Sequence, residues 1–161
     1  MSIIKDKFIL KSVLLFSITA LVSAYFVQYI LDHQPCNLCL LERIPYISAI
    51  ALISLILILD KHEKIISSII ALFFFLGAII SFYHVGIEQG FFNESFVCDL
   101  DKSTPKTLTA NELLKELEKK NVSCKDVTFT FFGFSLATFN TISSLVLSGI
   151  MIKNIKYYGK N

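Results

Sequence analysis

The sequence has no tryptophan and little charge, since only 17% of its 161 residues are Asp, Glu, Lys or Arg. Its hydrophobic fraction of 54% and mean hydropathy of +0.64 are too high for an ordinary soluble domain. The net charge is only +2 and no basic stripe is present, so nucleic acid is not an expected partner. There is no internal repeat and no low-complexity linker. These absences favour a single membrane domain over residues 1–161.

Four long apolar runs lie at about residues 8–31, 41–59, 65–87 and 129–152. Each is close to the roughly 20 residues that a helix needs to cross a bilayer. A spanning segment must form its backbone hydrogen bonds internally, because the lipid interior holds no water. The sequence therefore predicts an all-α membrane protein, a four-transmembrane-helix bundle in the lipid bilayer with one short outer loop and one long outer loop at about 88–128.

Two boundaries of these spans leave alternatives open. Val22-Ser23-Ala24 has the small-x-small pattern of a signal-peptide cleavage site, but the apolar sequence continues to Leu31, so we expect an uncleaved helix. Cleavage would remove one helix without inverting the other three. In the second run, either the helix begins near Pro45 after a loose turn or it kinks there, because a proline ring clashes with the preceding helical turn.

The distribution of lysine predicts the orientation in the membrane. Eight of the fifteen lysine and arginine residues lie in three short segments, namely at the start of the first run, between the second and third, and after the fourth. Such residues concentrate in cytoplasmic loops, so both termini are expected in the cytoplasm and all four cysteines outside, where disulfides persist. The eight are Lys5, Lys7, Lys11, Lys61, Lys64, Lys153, Lys156 and Lys160.

The most informative motif is Pro35-Cys36-Asn37-Leu38-Cys39-Leu40-Leu41-Glu42-Arg43, at the boundary of the second run. A CxxC pair serves as a zinc half-site, a structural disulfide or a dithiol redox centre. At a helix start, exposed N–H groups and the helix dipole lower a thiol pKa, and Arg43 adds a fixed positive charge one turn after Cys39. This combination favours redox chemistry. The alternative for Arg43 is a contact with lipid headgroups or a pair with Glu42.

The other two cysteines, Cys98 and Cys124, are 26 residues apart, so the second CxxC of a structural zinc site is missing. His33 is a conceivable third ligand beside Cys36 and Cys39, but a fourth would still have to come from Cys98 or Cys124. We therefore expect no metal. Cys98 and Cys124 by themselves suit a structural disulfide worth about 3–4 kcal/mol. Four cysteines allow three pairings, which the sequence alone does not resolve.

Polar residues interrupt the outer end of the third run at Tyr83, His84 and Glu88. A histidine at membrane depth is unfavourable unless it faces protein or water, so His84 is a candidate for binding or protonating the headgroup of a lipid-soluble acceptor. Glu88, four residues later, can pair with it on one helical face. The alternative is an interfacial histidine without a chemical role.

The long outer loop contains one helical signal. Thr109-Ala110-Asn111-Glu112 has the pattern of a capping box, and leucines follow it along one edge. The predicted short helix is either a solvated surface helix or an interfacial helix whose leucines lie on the bilayer.

These features together resemble the bacterial DsbB family of disulfide bond formation proteins. The resemblance covers essentially the whole chain: Pro-Cys-x-x-Cys-x-x-Glu-Arg before the second span, Tyr83-His84 in the third, two cysteines in the long second outer loop, and a fourth span. It implies a thiol:quinone oxidoreductase of the bacterial inner membrane. Such a protein reoxidises a periplasmic, DsbA-like thioredoxin-fold oxidase and passes the electrons to a membrane quinone, either ubiquinone or menaquinone.

Carried onto matching positions, the resemblance implies four catalytic cysteines. A thiolate of the soluble partner attacks Cys98 of a Cys98–Cys124 disulfide, and Cys124 then exchanges with a Cys36–Cys39 disulfide at Cys36. Cys39 is released as a thiolate that reacts with quinone.

The same resemblance implies that Arg43 and His84 bind the quinone. Two alternatives remain beside it. One is a non-catalytic four-span scaffold with structural loop disulfides. The other resembles the vitamin K epoxide reductase family, in which the loop cysteines precede the CxxC pair; the opposite order in this chain disfavours it.

Overall fold

The structure is a computed structural model that describes residues 2–59, 63–93, 98, 123–125, 130–131 and 133–158. The predicted helix after the capping box at Thr109 lies outside the described residues. The elements, in chain order, are α1 (Ser2–Tyr29), α2 (Asn37–Leu41), α3 (Ile44–Leu59), α4 (Glu63–Glu88), β1 (Thr130–Phe131), β2 (Phe134–Ser135) and α5 (Leu136–Tyr158).

Four helical segments are long and apolar enough to cross a membrane: Lys7–Tyr29, Asn37–Leu59, Glu63–Glu88 and Leu136–Lys156. This confirms the predicted all-α membrane fold with four spanning helices. Large apolar side chains cover the outer surface, and Phe8, Ile58 and Phe82 are 70%, 77% and 63% exposed. Such a continuous apolar surface suits contact with lipid and not with water.

Four hydroxyl side chains of α1 are hydrogen-bonded within their own helix. Ser12, Ser17, Thr19 and Ser23 each donate to the carbonyl oxygen four residues earlier, at 2.8–3.0 Å. Because these donors are paired within α1, the polar residues do not prevent the helix from lying in hydrocarbon.

The four long helices do not pack equally against one another. Helix α4 packs along α5, and α3 packs against both α1 and α4, whereas α1 and α5 meet over a much shorter length. The α3–α4 contact is close at Gly77, where a Cβ would lie 2.7 Å from Cγ of Pro45. The largest buried core cluster consists of Leu10, Val13, Tyr46, Ala49, Ile53, Ile56, Ile70, Ala71, Phe74, Leu147 and Met151.

The second span is interrupted close to the CxxC motif. Helix α2 ends at Leu41, and after the turn at Glu42 and Arg43 helix α3 begins at Ile44. Pro45 is the second residue of α3, where its missing N–H leaves no intrahelical bond unmade. Of the two alternatives for Pro45, the loose turn followed by a new helix is therefore correct. The turn places Glu42 and Arg43 between two helices.

The last helix begins at Leu136, later than the expected start of the fourth span at about 129. Thr130 pairs with Ser135 in a short antiparallel hairpin, and Gly133 supplies the positive φ of +81° in its turn. Ser135 then caps α5, because its Oγ accepts a hydrogen bond from the backbone N–H of Thr138 at 3.3 Å. The apolar composition of this segment conceals the hairpin in the sequence.

Candidate active site

Cys36 and Cys39 lie at the start of helix α2. Cys36 is the N-cap residue, and its Sγ accepts a hydrogen bond from the backbone N–H of Cys39 at 3.2 Å. Both are free thiols with their Sγ atoms 2.7 Å apart. Cys36 is buried and Cys39 half-buried, so the helix start holds the two sulfurs together in a largely protein environment.

His84 on α4 lies directly against this pair. Its Nε2 is 3.6 Å from Sγ of Cys36, and its Nδ1 is 2.7 Å from Oε1 of Glu42. His84 is only 2% exposed, so its side chain is buried within the protein. The imidazole bridges the thiol and a carboxylate.

Glu42 is itself held by a polar network. Its Oε2 accepts a hydrogen bond from Nδ2 of Asn140 on α5 at 2.9 Å. Oδ1 of Asn140 accepts one from the hydroxyl of Tyr46 at 2.6 Å, and Nδ2 also donates to Oγ of Ser81 at 3.2 Å. Both oxygens of a buried carboxylate are thereby paired, as burial of a charge requires. The network joins α3, α4 and α5 at the motif.

Glu88 lies one turn after His84, as the sequence suggested. Its Oε1 is 3.8 Å from Nε2 of His84, a looser contact than the one from Glu42. The side chain is only 7% exposed, and Oε2 has no hydrogen-bond partner among the described residues. The main partner of His84 is therefore Glu42, which the sequence did not predict.

The surroundings of Cys36 lower its pKa to about 5. The hydrogen bond from the Cys39 thiol is the largest cause, and the hydrogen bond and positive charge of His84 act in the same direction, against the effect of burial. At neutral pH, Cys36 is therefore a thiolate. The lowered pKa expected at a helix start is thus found at Cys36, whereas the sequence pointed to Cys39 beside Arg43.

Arg43 reaches towards helix α1. Its Nη1 donates to Oε1 of Gln28 at 2.7 Å, and its guanidinium carbon is 4.9 Å from the centre of the Tyr25 ring. Glu42 instead contacts His84 and Asn140, so the structure gives no support to a Glu42–Arg43 pair.

A cavity of about 280 Å³ lies between α1 and α5, next to the thiols. Most of its lining is apolar, whereas its polar side chains are gathered at the end that holds the CxxC motif. A second groove of about 430 Å³ continues along α1 and α5, and Phe16 and Ser143 line both spaces. The residues of the first cavity that take part in the contacts described above are Gln28, Cys36, Cys39, Glu42, Arg43, His84, Glu88 and Asn140.

The loop cysteines form a disulfide, Cys98–Cys124, with a Cα–Cα distance of 6.0 Å. Cys124 is 2% exposed and belongs to the same buried cluster as Cys36, together with Leu38 and Ile87. Cys39 and Cys98 pack against this cluster as well. The two cysteine pairs, far apart in the chain, therefore share one hydrophobic environment.

Comparison with known proteins identifies the family. A family model described as disulfide bond formation protein DsbB matches residues 6–153. The chain belongs to the DsbB family. An uncharacterized protein of Rickettsia prowazekii is 29% identical over 160 residues, which cover 98% of this chain and 92% of that protein. No solved structure matches the chain significantly.

Membership of the DsbB family confirms the resemblance seen in the sequence. Together with the four spanning helices, it makes the chain a multi-pass membrane protein of disulfide bond formation, with oxidoreductase chemistry. Of the predicted site residues, Cys36, Cys39, Arg43 and His84 line one cavity. The other two, Cys98 and Cys124, form the disulfide in the cluster beside it.

Sequence reasoning missed two residues of this DsbB-family site. Glu42 was considered as part of the family motif and as a partner for Arg43 but not for His84, and Asn140 was not considered. Both residues could have been identified in the sequence, because a carboxylate or an amide within an apolar span is unfavourable unless it faces a partner inside the protein. Their mutual contact depends on how α3 and α5 pack, which the sequence does not display.

Proposed function

We propose that this chain is a thiol:quinone oxidoreductase that reoxidises a periplasmic, DsbA-like thioredoxin-fold oxidase and passes the electrons to ubiquinone or menaquinone. One observation carries the proposal: the Cys98–Cys124 disulfide and the Cys36–Cys39 dithiol share a buried cluster beside an apolar cavity between two spanning helices. Disulfide exchange needs sulfurs that can meet, and a lipid-soluble acceptor needs entry from the bilayer.

The electrons enter through the loop pair. A partner thiolate attacks Sγ of Cys98, a new disulfide forms with the partner, and the Cys98–Cys124 bond breaks to leave Cys124 as a thiolate. Cys124 attacks Cys36 in a Cys36–Cys39 disulfide, forming a Cys124–Cys36 bond and releasing Cys39 as a thiolate.

The partner's second thiol then breaks the mixed disulfide, which frees the oxidised partner and Cys98. Cys98 attacks Cys124, restores the loop disulfide, and leaves Cys36 and Cys39 reduced, so two electrons have moved inward. A loop disulfide beside an inner dithiol is the combination found here, which supports this order.

His84 accepts the proton of Cys36. Glu42 accepts the hydrogen bond from Nδ1, so Nε2 is oriented towards Sγ of Cys36 and can take its proton. The same imidazole can return that proton to a group in the cavity that it lines.

The cavity fits a quinone ring, because it is mostly apolar and has cationic and hydrogen-bonding groups at the thiol end. When bound there, a quinone accepts two electrons and two protons. Arg43 would hold the ring oxygen with its fixed charge, since its guanidinium already lies between α1 and the motif. The groove that continues along α1 and α5 offers an apolar path for a lipid-like tail.

The lysine distribution supports placement in the bacterial inner membrane with both termini cytoplasmic and the cysteines periplasmic. The segment at about 88–128 would then be the long periplasmic loop of a single membrane domain. The scaffold alternative has less support, because it gives no reason for a buried histidine and carboxylate beside a free thiol.

The test follows quinone reduction by the purified protein in lipid after addition of a reduced thioredoxin-fold dithiol partner. Each of Cys36→Ser, Cys39→Ser, Cys98→Ser and Cys124→Ser is expected to abolish turnover, whereas Ser48→Ala, a hydroxyl bonded within its own helix, leaves it unchanged. Without quinone, the protein should oxidise only a stoichiometric amount of the partner and then stop. Full quinone-dependent turnover by Cys39→Ser would refute the proposal.

A further inference from the structure

The reduced site brings together three atoms that favour a metal ion. Sγ of Cys36, Sγ of Cys39 and a ring nitrogen of His84 all lie within 4.8 Å of one another. We propose that the reduced form of this protein binds a thiophilic divalent cation, of the class of Zn²⁺ and Cd²⁺, through these three side chains. The histidine is His84 and not His33, which the sequence suggested as a third ligand.

The distance between Cys36 and His84 suits a shared metal ion. With Zn–S and Zn–N bonds of about 2.3 and 2.05 Å, tetrahedral coordination separates sulfur and nitrogen by about 3.6 Å. The observed separation of Sγ and Nε2 is 3.6 Å. The two sulfurs are 2.7 Å apart and would need about 3.8 Å on one ion, so the Cys39 side chain must move by about 1 Å. Cys39 is only half-buried and lines the cavity, which gives it room to move.

Glu42 prepares His84 for this role. A histidine that binds a metal usually donates its other ring N–H to a carboxylate, which fixes the tautomer and the orientation of the ring. The 2.7 Å contact between Nδ1 of His84 and Oε1 of Glu42 is of this kind, and it turns Nε2 towards the thiols. The histidine thus already has the support that a metal ligand requires.

The nearby charges also favour a cation. The side chain of Glu88 is only 7% exposed, and its Oε1 is 3.8 Å from Nε2 of His84. Its Oε2 has no hydrogen-bond partner among the described residues. A buried carboxylate oxygen without a partner is unusual, and oxygen of this type is an accepted zinc ligand. Glu88 is not one of the three ligands, but its carboxylate next to His84 would stabilise a cation held by Cys36, Cys39 and His84.

Binding must depend on the redox state. Thiolates are metal ligands, and a Cys36–Cys39 disulfide has none to offer, so only the reduced site can hold the ion. An ion bound to both sulfurs keeps them from forming a disulfide. The binding itself follows from geometry alone, whereas the expected inhibition of turnover rests on the proposed function.

The binding experiment uses the full chain with Cys98→Ser and Cys124→Ser, so that only the inner pair contributes thiols. In detergent and without quinone, Zn²⁺ is titrated against a chromophoric chelator, and Cd²⁺ is followed by its thiolate-to-metal absorption. We expect one ion per reduced protein and none per oxidised protein. His84→Ala should weaken binding about tenfold or more, whereas the matched variant His33→Ala should leave it unchanged.

A second measurement avoids dependence on the loop variant. In the otherwise unaltered chain with the loop disulfide intact, Zn²⁺ should protect Cys36 and Cys39 from alkylation, and His84→Ala should reduce this protection. Equal binding by oxidised and reduced protein, or equal affinities of the His84→Ala and His33→Ala variants, would overturn the metal site. Binding as expected without inhibition of turnover would instead count against the electron route through this pair.

Discussion

The carboxylate of Glu42 holds the imidazole of His84 at 2.7 Å, although 42 residues separate them in the chain. Glu42 lies in the turn between α2 and α3, and His84 lies in α4, so this contact joins the CxxC motif to a different spanning helix. Because Glu42 accepts from Nδ1, Nε2 is directed at Cys36. The pair therefore holds the imidazole against the first thiol, where its hydrogen bond and positive charge help to lower the pKa of Cys36.

Replacement of Glu42 by glutamine is expected to slow dithiol-dependent quinone reduction about a hundredfold, because a neutral amide replaces the carboxylate that orients His84 and stabilises its protonated form. A purely structural role would lower activity equally at every pH. We expect instead that the apparent pKa of Cys36, taken from the pH dependence of its reactivity, also rises. Glu63→Gln, at the opposite end of α4, serves as the matched control and should change neither quantity.

The pKa of Cys36, lowered to about 5, predicts its reactivity. Thiolate is the form above this pKa, so alkylation of Cys36 in the reduced protein should stay fast at pH 7 and fall as the pH drops through about 5. Loss of the thiol hydrogen bond in Cys39→Ala should move the midpoint upward, and His84→Ala should do so less. Mass spectrometry of the alkylated protein, in buffer with a chelator, measures this. A midpoint near that of an ordinary thiol would contradict the prediction.

The same pKa makes the stability of the reduced protein depend on pH. The folded-state pKa is lower than that of an unfolded thiol, so this contribution is complete above the unfolded pKa of about 8.5. It is lost as the pH falls from there through about 5, the folded value. The apparent unfolding temperature of the reduced protein should therefore fall over this range by more than that of the Cys36→Ser variant. Equal slopes for the two proteins would argue against the thiolate.

Arg43→Ala is expected to raise the KM for quinone about tenfold or more, since a charged hydrogen bond contributes about 1.5–3 kcal/mol. Exchange between the partner and Cys98 should keep its rate, because Arg43 contacts Gln28 and Tyr25 on α1. Stopped-flow measurement of the mixed disulfide separates the two steps. Arg43→Lys should recover part of the loss. Equal defects in both steps would remove Arg43 from the quinone site.

Gly77→Ala is expected to destabilise the bundle by about 1–3 kcal/mol, because the new methyl group would overlap Cγ of Pro45 at 2.7 Å. Gly149→Ala is the matched control in α5, where no atom lies within 4 Å of the added group. This second change should be neutral or stabilise by up to about 1 kcal/mol through helix propensity. Thermal unfolding in one detergent compares them, and similar losses in both variants would contradict close packing of α3 on α4.

The fold was largely predictable because lipid permits few solutions. Four apolar runs of sufficient length can only become helices, and Pro45 predicts either a late helix start or a kink in the second span. The start of α5 was not predictable in this way. The hairpin from Thr130 to Ser135 is as apolar as a span, and only the pairing and the positive φ of Gly133 distinguish it.

The sequence by itself determined the four-helix membrane fold and the presence of a CxxC pair at a helix start. Both follow from local properties, namely the length of an apolar run and the spacing of Cys36 and Cys39. Only the tertiary structure decided which charged groups reach the thiols. Glu42 contacts His84 and Asn140 and not the adjacent Arg43. A buried carboxylate pairs with the groups that helix packing brings within hydrogen-bond distance, even when they are far away in the sequence.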